Sequence, residues 1–285
     1  MAFNFKSFLT RLGSAVIFSA IMLFAFLSNE WTFISLFFII NILCLYEYVL
    51  IIEKIVHVSF SKNEKMNFYI LGIATYLFVI SMKITACNNM SNIILNNFLF
   101  YFLGILIGSI ILFLFFKRTN KAFYLLNGLG YITIAFALLV QLRYLSILYP
   151  VIILLFIWMN DTLAYLTGSF WGKNKFFPSI SPNKTIEGTV GGILFTIAFA
   201  FIWGYNTAFF PLWQWIILGL IASVIGTIGD LIESKLKRLS NIKDSGNIMP
   251  GHGGALDRFD SLIFVSPFVF LFGLIFLKCI EMKIL

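Results

Sequence analysis

Asp230 closes the run IASVIGTIGD, near the end of a long apolar stretch that passes into LIESKLKRL. A carboxylate at the centre of a membrane-inserted helix costs on the order of 3 kcal/mol, so it demands a cation, a basic partner or water. Steps of three and four residues return to the same helix face. They align Ser223, Gly226, Thr227, Asp230, Ser234 and Lys237 as one polar and small stripe able to line a cavity. Pairing of Asp230 and Glu233 with Lys237 and Arg238 at a helix end is the blander reading, and it leaves the upstream part of the stripe unexplained.

The chain then runs KDSGNIMPGHGGALDRFD, from Lys243 to Asp260. Gly246, Gly251, Gly253 and Gly254 with Pro250 permit a loop that wraps closely around an anion. Lys243, His252 and Arg258 offer donors to phosphate oxygens, while Asp244, Asp257 and Asp260 are interleaved with them. A site for anions alone has no use for carboxylates. One that holds Mg²⁺ between carboxylates and phosphates needs both signs. An Asp at a helix amino terminus, favoured by the dipole, accounts for one of these residues and not for the set.

A second polar island lies upstream. Asn160, Asp161 and Tyr165 interrupt an apolar run, and SISPNKTIEG follows with Ser181, Lys184, Thr185 and Glu187 around the start of the next helix. Free N–H groups there suit phosphate. Capping explains Thr185, but not Lys184 or the neighbouring Asn160 and Asp161.

The elements that position these residues follow from composition. Of 285 residues, 60% are hydrophobic and 11% charged, against roughly a quarter charged in an ordinary soluble domain. The chain reads as an all-α polytopic integral membrane protein. Apolar runs predict nine spans, at about 12 to 28, 31 to 52, 68 to 84, 93 to 116, 122 to 141, 147 to 170, 186 to 204, 212 to 232 and 261 to 279. With the amino terminus cytoplasmic and the carboxyl terminus outside, sixteen of the twenty Lys and Arg fall in inside segments. That bias is the positive-inside pattern. It accounts for the net charge of +8 without nucleic acid, through topology and anionic headgroups of the lipid bilayer. The basic start before an apolar run resembles a signal peptide, yet no small-residue cleavage site follows Leu27, so it is expected to be a first span. Cys44, Cys87 and Cys279 stand alone, which indicates neither a disulfide framework nor a zinc site.

Two regions are expected: a scaffold of about five spans over residues 1–141, and a catalytic region of about four over 142–285. Loops 171–187 and 233–260 belong to the latter. Eight of the twelve Asp and Glu lie after residue 160, seven of them from Asp161 to Asp260. In the first half, Glu47 either faces a partner or reaches the interface, and His57 reads as a solvated loop residue. Gly104 and Gly108 permit close helix approach, within one chain or in a homodimer.

Residues 234–260 closely resemble the signature of phosphatidate cytidylyltransferases, the bacterial-type CDP-diacylglycerol synthases. Ser234, Lys237, Arg238, Lys243, Asp244, Gly246, Pro250, His252, Gly253, Gly254, Asp257, Arg258 and Asp260 stand at the family spacing. NDTLAY and SPNKTIEG resemble its two upstream motifs. The chain departs at Met249 and Ala255, where larger or branched residues are usual, and at Asn183 and Ile186, where Lys and Trp are frequent.

The resemblance implies that CTP and phosphatidic acid give CDP-diacylglycerol and pyrophosphate with Mg²⁺, at the cytoplasmic face of a bacterial inner membrane. It assigns Asp230 and Asp257 to the metal. It further implies that Lys184, Arg238, Lys243, His252 and Arg258 orient phosphates and that Asp244 and Asp260 position those bases; a second metal or a monovalent ion stays open. No dedicated base is required, because a phosphomonoester with a second pKa near 6 is largely dianionic at neutral pH. A CTP-dependent lipid kinase, a cytidylyltransferase with an isoprenoid acceptor and an anion transporter are the competing readings. A transporter needs access from both sides, whereas the polar residues cluster on one.

Overall fold

The computed structural model describes residues 5–82, 121–249 and 253–276. Its helices are α1 (Phe5–Leu27), α2 (Glu30–Val56), α3 (Lys62–Ser81), α4 (Lys121–Gly128) and α5 (Ile134–Leu145), the last two joined by a π-helical turn, Leu129–Thr133. They continue with α6 (Leu148–Trp171), α7 (Ile186–Asn206), α8 (Leu212–Leu239) and α9 (Leu256–Phe276). Among the described residues, six stretches are long and apolar enough to cross a membrane: α2, 123–145, α6, α7, α8 and α9. The chain is a multi-pass membrane protein. The expected span at 93 to 116 lies outside the described residues, as do Gly104, Gly108, Cys87 and Cys279. An all-helical reading misses one element: β1 (Lys175–Phe177) and β2 (Ser181–Thr185) pair antiparallel between α6 and α7, with Lys175 opposite Thr185.

The chain folds as two compact units, residues 25–147 with 266–285 and residues 1–24 with 148–265. In the first, Phe26, Phe33 and Phe37 pack ring against ring. Buried polar side chains there donate to backbone carbonyls of neighbouring helices. Tyr48 Oη donates to Tyr124 O at 2.9 Å, Tyr76 Oη to Ile34 O at 2.9 Å and Gln141 Nε2 to Val79 O at 2.5 Å. Arg143 closes the end of α1 by donating to Phe26 O and Ser28 O, with its guanidinium 4.9 Å from the centre of the Phe33 ring. A cation at a helix carboxyl end meets the unpaired carbonyls and the negative end of the dipole together. Glu47 is buried within this unit. His57 ends α2 with φ of 56°.

The second unit is built on glycine and hydroxyl contacts between α6, α7, α8 and α9. Thr167 Oγ1 is 3.1 Å from Gly188 O, and Ser261 Oγ donates to Gly226 O at 3.0 Å. A Cβ at Gly188 would stand 2.8 Å from Ala164 O and 2.9 Å from the Gly168 Cα. Those are backbone atoms and cannot turn aside. Gly188→Ala is therefore expected to push α6 and α7 apart and to destabilise by about 1–3 kcal/mol, read as a lower unfolding midpoint in detergent; an unchanged midpoint would show that the helices part freely.

Candidate active site

Three local devices position the polar residues. Thr185 ends β2 and caps α7, its Oγ1 accepting from Gly188 N at 3.1 Å. Glu187, in the first turn of α7, accepts from Lys173 N at 3.1 Å and from Asn174 Nδ2 at 2.7 Å. It thereby folds the chain leaving α6 back onto α7, which sets the hairpin. Arg238 donates from Nε to Ile180 O at 3.1 Å and from Nη1 to Ile242 O at 3.0 Å, tying the hairpin turn to the end of α8. Thr185 caps α7 and also lines a cavity, while Glu187 and Arg238 tie the loops together.

Asp257 performs the same service for the glycine-rich loop. Its Oδ2 accepts from Ser245 N and Gly254 N, each at 2.8 Å, and from Ser245 Oγ at 3.0 Å. Gly253, at φ of 86°, brings the backbone against that carboxylate in a conformation L side chains rarely adopt. Oδ1 accepts from Lys237 Nζ at 2.6 Å, and the same ammonium stands 2.5 Å from Glu233 Oε2. Lys237 thus joins two carboxylates from α8 and α9.

Beside that bridge, Asp230, Glu233 and Asp260 each offer a carboxylate oxygen within 4.8 Å of the other two. Asp230 is ion-paired with Lys184 from β2 through Oδ2, and its Oδ1 accepts from Ser234 Oγ at 3.3 Å. Glu233 is fully buried, with Lys237 at its Oε2 and no hydrogen-bond donor at its Oε1. Three hard oxygen donors from two helices, one of them fully buried, fit Mg²⁺. Of the expected metal residues, Asp230 belongs to this group, while Asp257 adjoins it through Lys237.

A cavity of about 410 Å³ opens next to the group. Asn160, Asp161, Tyr165 and Ser169 line it from α6, Asn183 and Lys184 from β2, Thr189 from α7, and Thr227 and Asp230 from α8. Asp161 lies ten residues before the carboxyl end of α6, about 15 Å along its axis. The cavity floor is thus well inside the length of an apolar helix.

The structure therefore brings together Asn160, Asp161, Lys184 and Asp230, with Asp260 alongside. Ser234 and Lys237 adjoin them. Lys243, Asp244 and Arg258 are exposed at the same end of the bundle, Arg258 within electrostatic reach of Asp161. Ser181 is half-buried at the start of β2. His252, Pro250 and Gly251 lie outside the described residues. Glu233 is absent from the expected site residues; its i, i+3 spacing from Asp230 is the signal that could have found it.

The family model described as "Cytidylyltransferase family" matches residues 9–276. Three similar proteins are each named "Phosphatidate cytidylyltransferase". One from Staphylococcus saprophyticus is 42% identical over 153 residues, covering 53% of this chain and 58% of the relative. One from Staphylococcus aureus strain COL is 44% identical over 154 residues, with the same shares. One from Staphylococcus epidermidis is 41% identical over 153 residues, again covering 53% and 58%. The aligned part of the chain spans somewhat over half the length of these relatives.

Proposed function

The chain belongs to the cytidylyltransferase family, and from that premise we propose that it is an Mg-dependent nucleotidyltransferase of phospholipid biosynthesis, a phosphatidate cytidylyltransferase. It takes CTP and phosphatidic acid to CDP-diacylglycerol and pyrophosphate. The carrying observation is the carboxylate group of Asp230, Glu233 and Asp260, with Lys184 across it, at the edge of a polar cavity among apolar helices. A lipid acceptor comes from the bilayer and a nucleotide from water, and such a placement serves both.

In the reaction an oxygen of the lipid phosphate forms a bond to the α-phosphorus of CTP, the bond from that phosphorus to the β-bridging oxygen breaks, and pyrophosphate leaves. The attacking oxygen is already anionic at neutral pH, so no residue needs to remove a proton. The chain's work is positioning and charge balance. Asp230, Glu233 and Asp260 would hold Mg²⁺, which supplies neutralisation of the phosphate oxygens when bound. Lys184 faces the same space and, with the exposed Lys243 and Arg258 and with His252, orients phosphates. Asp257 and Lys237 anchor the loop at Ser245 and Gly254, and Arg238, Thr185 and Glu187 hold the hairpin that carries Lys184.

We further infer nine spans, with the amino terminus and the active site on the cytoplasmic side, the carboxyl terminus outside, and a bacterial inner membrane as location, which the bacterial relatives support. The unit of residues 148–265 is then the catalytic one and the other the scaffold.

Labelled CTP separates this reading from a lipid kinase. Label at the α-phosphorus is expected to enter the lipid and label at the γ-phosphorus to leave as pyrophosphate. Transfer of γ-label to lipid would instead establish a kinase.

A further inference from the structure

We infer that the cavity between α6, α7 and β2 receives the nucleoside end of the nucleotide, with Asp161 accepting hydrogen bonds from its N–H and O–H groups. The inference rests on the cytidylyltransferase reading and adds which half of which substrate the cavity takes.

The argument begins with donors and acceptors. Asn160 is 3% exposed, its Nδ2 donates to Thr227 Oγ1 at 3.3 Å, and its Oδ1 is buried on the side of Gly192, so this residue braces the cavity floor and does not meet a ligand. Thr227 Oγ1 in turn donates to Ser223 O at 2.7 Å, so that hydroxyl has no proton left for the amide. Asp161, next in sequence, is exposed to the cavity and adds carboxylate oxygens. The cavity floor therefore presents carboxylate oxygens, acceptors that a ligand's N–H or O–H groups can meet.

Phosphatidic acid cannot supply such donors. Both glycerol hydroxyls that could donate are esterified, leaving acceptors apart from the phosphate's own proton. A cytidine offers an exocyclic amine and two ribose hydroxyls. A carboxylate accepts well from the cytosine amine, whereas uracil presents an oxygen at that position and would meet the carboxylate with repulsion. The walls agree, since Ala164, Gly168 and Gly188 are their apolar part together with the Tyr165 ring. Among the described residues, no long aliphatic side chain lines the cavity for an acyl chain, while Tyr165 brings an aromatic ring to its wall. Lys184 and Asp230 border the same space, so phosphates continue from the nucleoside toward the carboxylate group.

The test is equilibrium binding to the full-length protein in detergent with Mg²⁺, using CTP, dCTP, UTP and inorganic tripolyphosphate, for wild type and Asp161→Asn. The variant is expected to bind CTP about tenfold more weakly and tripolyphosphate as wild type does. Loss of CTP-over-UTP discrimination assigns the donor to the base, and loss of CTP-over-dCTP discrimination assigns it to the ribose; either upholds the inference. Equal weakening of tripolyphosphate, or unchanged CTP binding with a raised KM for phosphatidic acid, overturns it. Should the variant fold poorly, a Ser169→Cys protein reports independently: CTP should shield that thiol from a polar maleimide and tripolyphosphate should not. Shielding by tripolyphosphate alone overturns the inference. Wild-type protein that binds neither ligand would remove the cytidylyltransferase reading itself, an outcome distinct from all of these.

Discussion

Asp230→Asn is expected to lower kcat/KM for cytidylyl transfer by on the order of 10³-fold while leaving the protein folded. Asp230 is the carboxylate on which the site converges. It belongs to the group with Glu233 and Asp260, pairs with Lys184 and accepts from Ser234. An asparagine keeps the shape and the bond to Ser234. It removes the charge that would hold a divalent cation and releases Lys184 from its partner. Binding of Mn²⁺ as a probe should weaken in parallel, and unfolding midpoints should stay close to wild type, because Asp230 and Lys184 are each about a quarter exposed. A variant with normal Mn²⁺ affinity and near-normal turnover would remove Asp230 from the reaction.

The second large effect concerns stability. Lys237 is the ammonium between Glu233, at 2.5 Å, and Asp257, at 2.6 Å, whose side chains are 0% and 5% exposed. Lys237→Met preserves much of the apolar stem and leaves two buried carboxylates without their cation. Removing one partner of a buried ion pair costs about 3–5 kcal/mol, since the charge left behind has lost its solvation and gained nothing. The loop held by Asp257 should loosen with it, seen as faster amide exchange at Ser245 and Gly254. Restoring a cation with Lys237→Arg should recover part of the loss. A midpoint unchanged in Lys237→Met would mean that water or another cation already compensates the pair.

Hydropathy alone locates most of the helices, because twenty apolar residues in succession admit few other structures in a membrane. The hairpin escapes it. KFF and SPNKT are too short to show alternation, and their pairing depends on Glu187 reaching back to Lys173 and Asn174, with Ile186 N donating to Asn174 O at 2.9 Å. Within the site, Asp230 stands out from its stripe of small and hydroxyl residues. Glu233 does not, because Lys237 four residues later makes it resemble an ordinary helix-end pair. Its burial comes from packing in the folded unit, which local spacing does not encode. Signature residues that hold loops, such as Asp257 and Arg238, carry the same charges and spacing as residues that hold substrate. Only their partners reveal the loop-holding role: backbone N–H groups and Lys237 for Asp257, the carbonyls of Ile180 and Ile242 for Arg238.

The most direct measurement is the stoichiometry of products from detergent-purified protein given CTP, phosphatidic acid and Mg²⁺. One pyrophosphate released for each lipid-linked cytidine formed, with both lost on chelation of the metal, is the expected result. Folded protein that binds CTP yet forms no lipid-linked cytidine with phosphatidic acid, or that releases CDP instead of pyrophosphate, would contradict it.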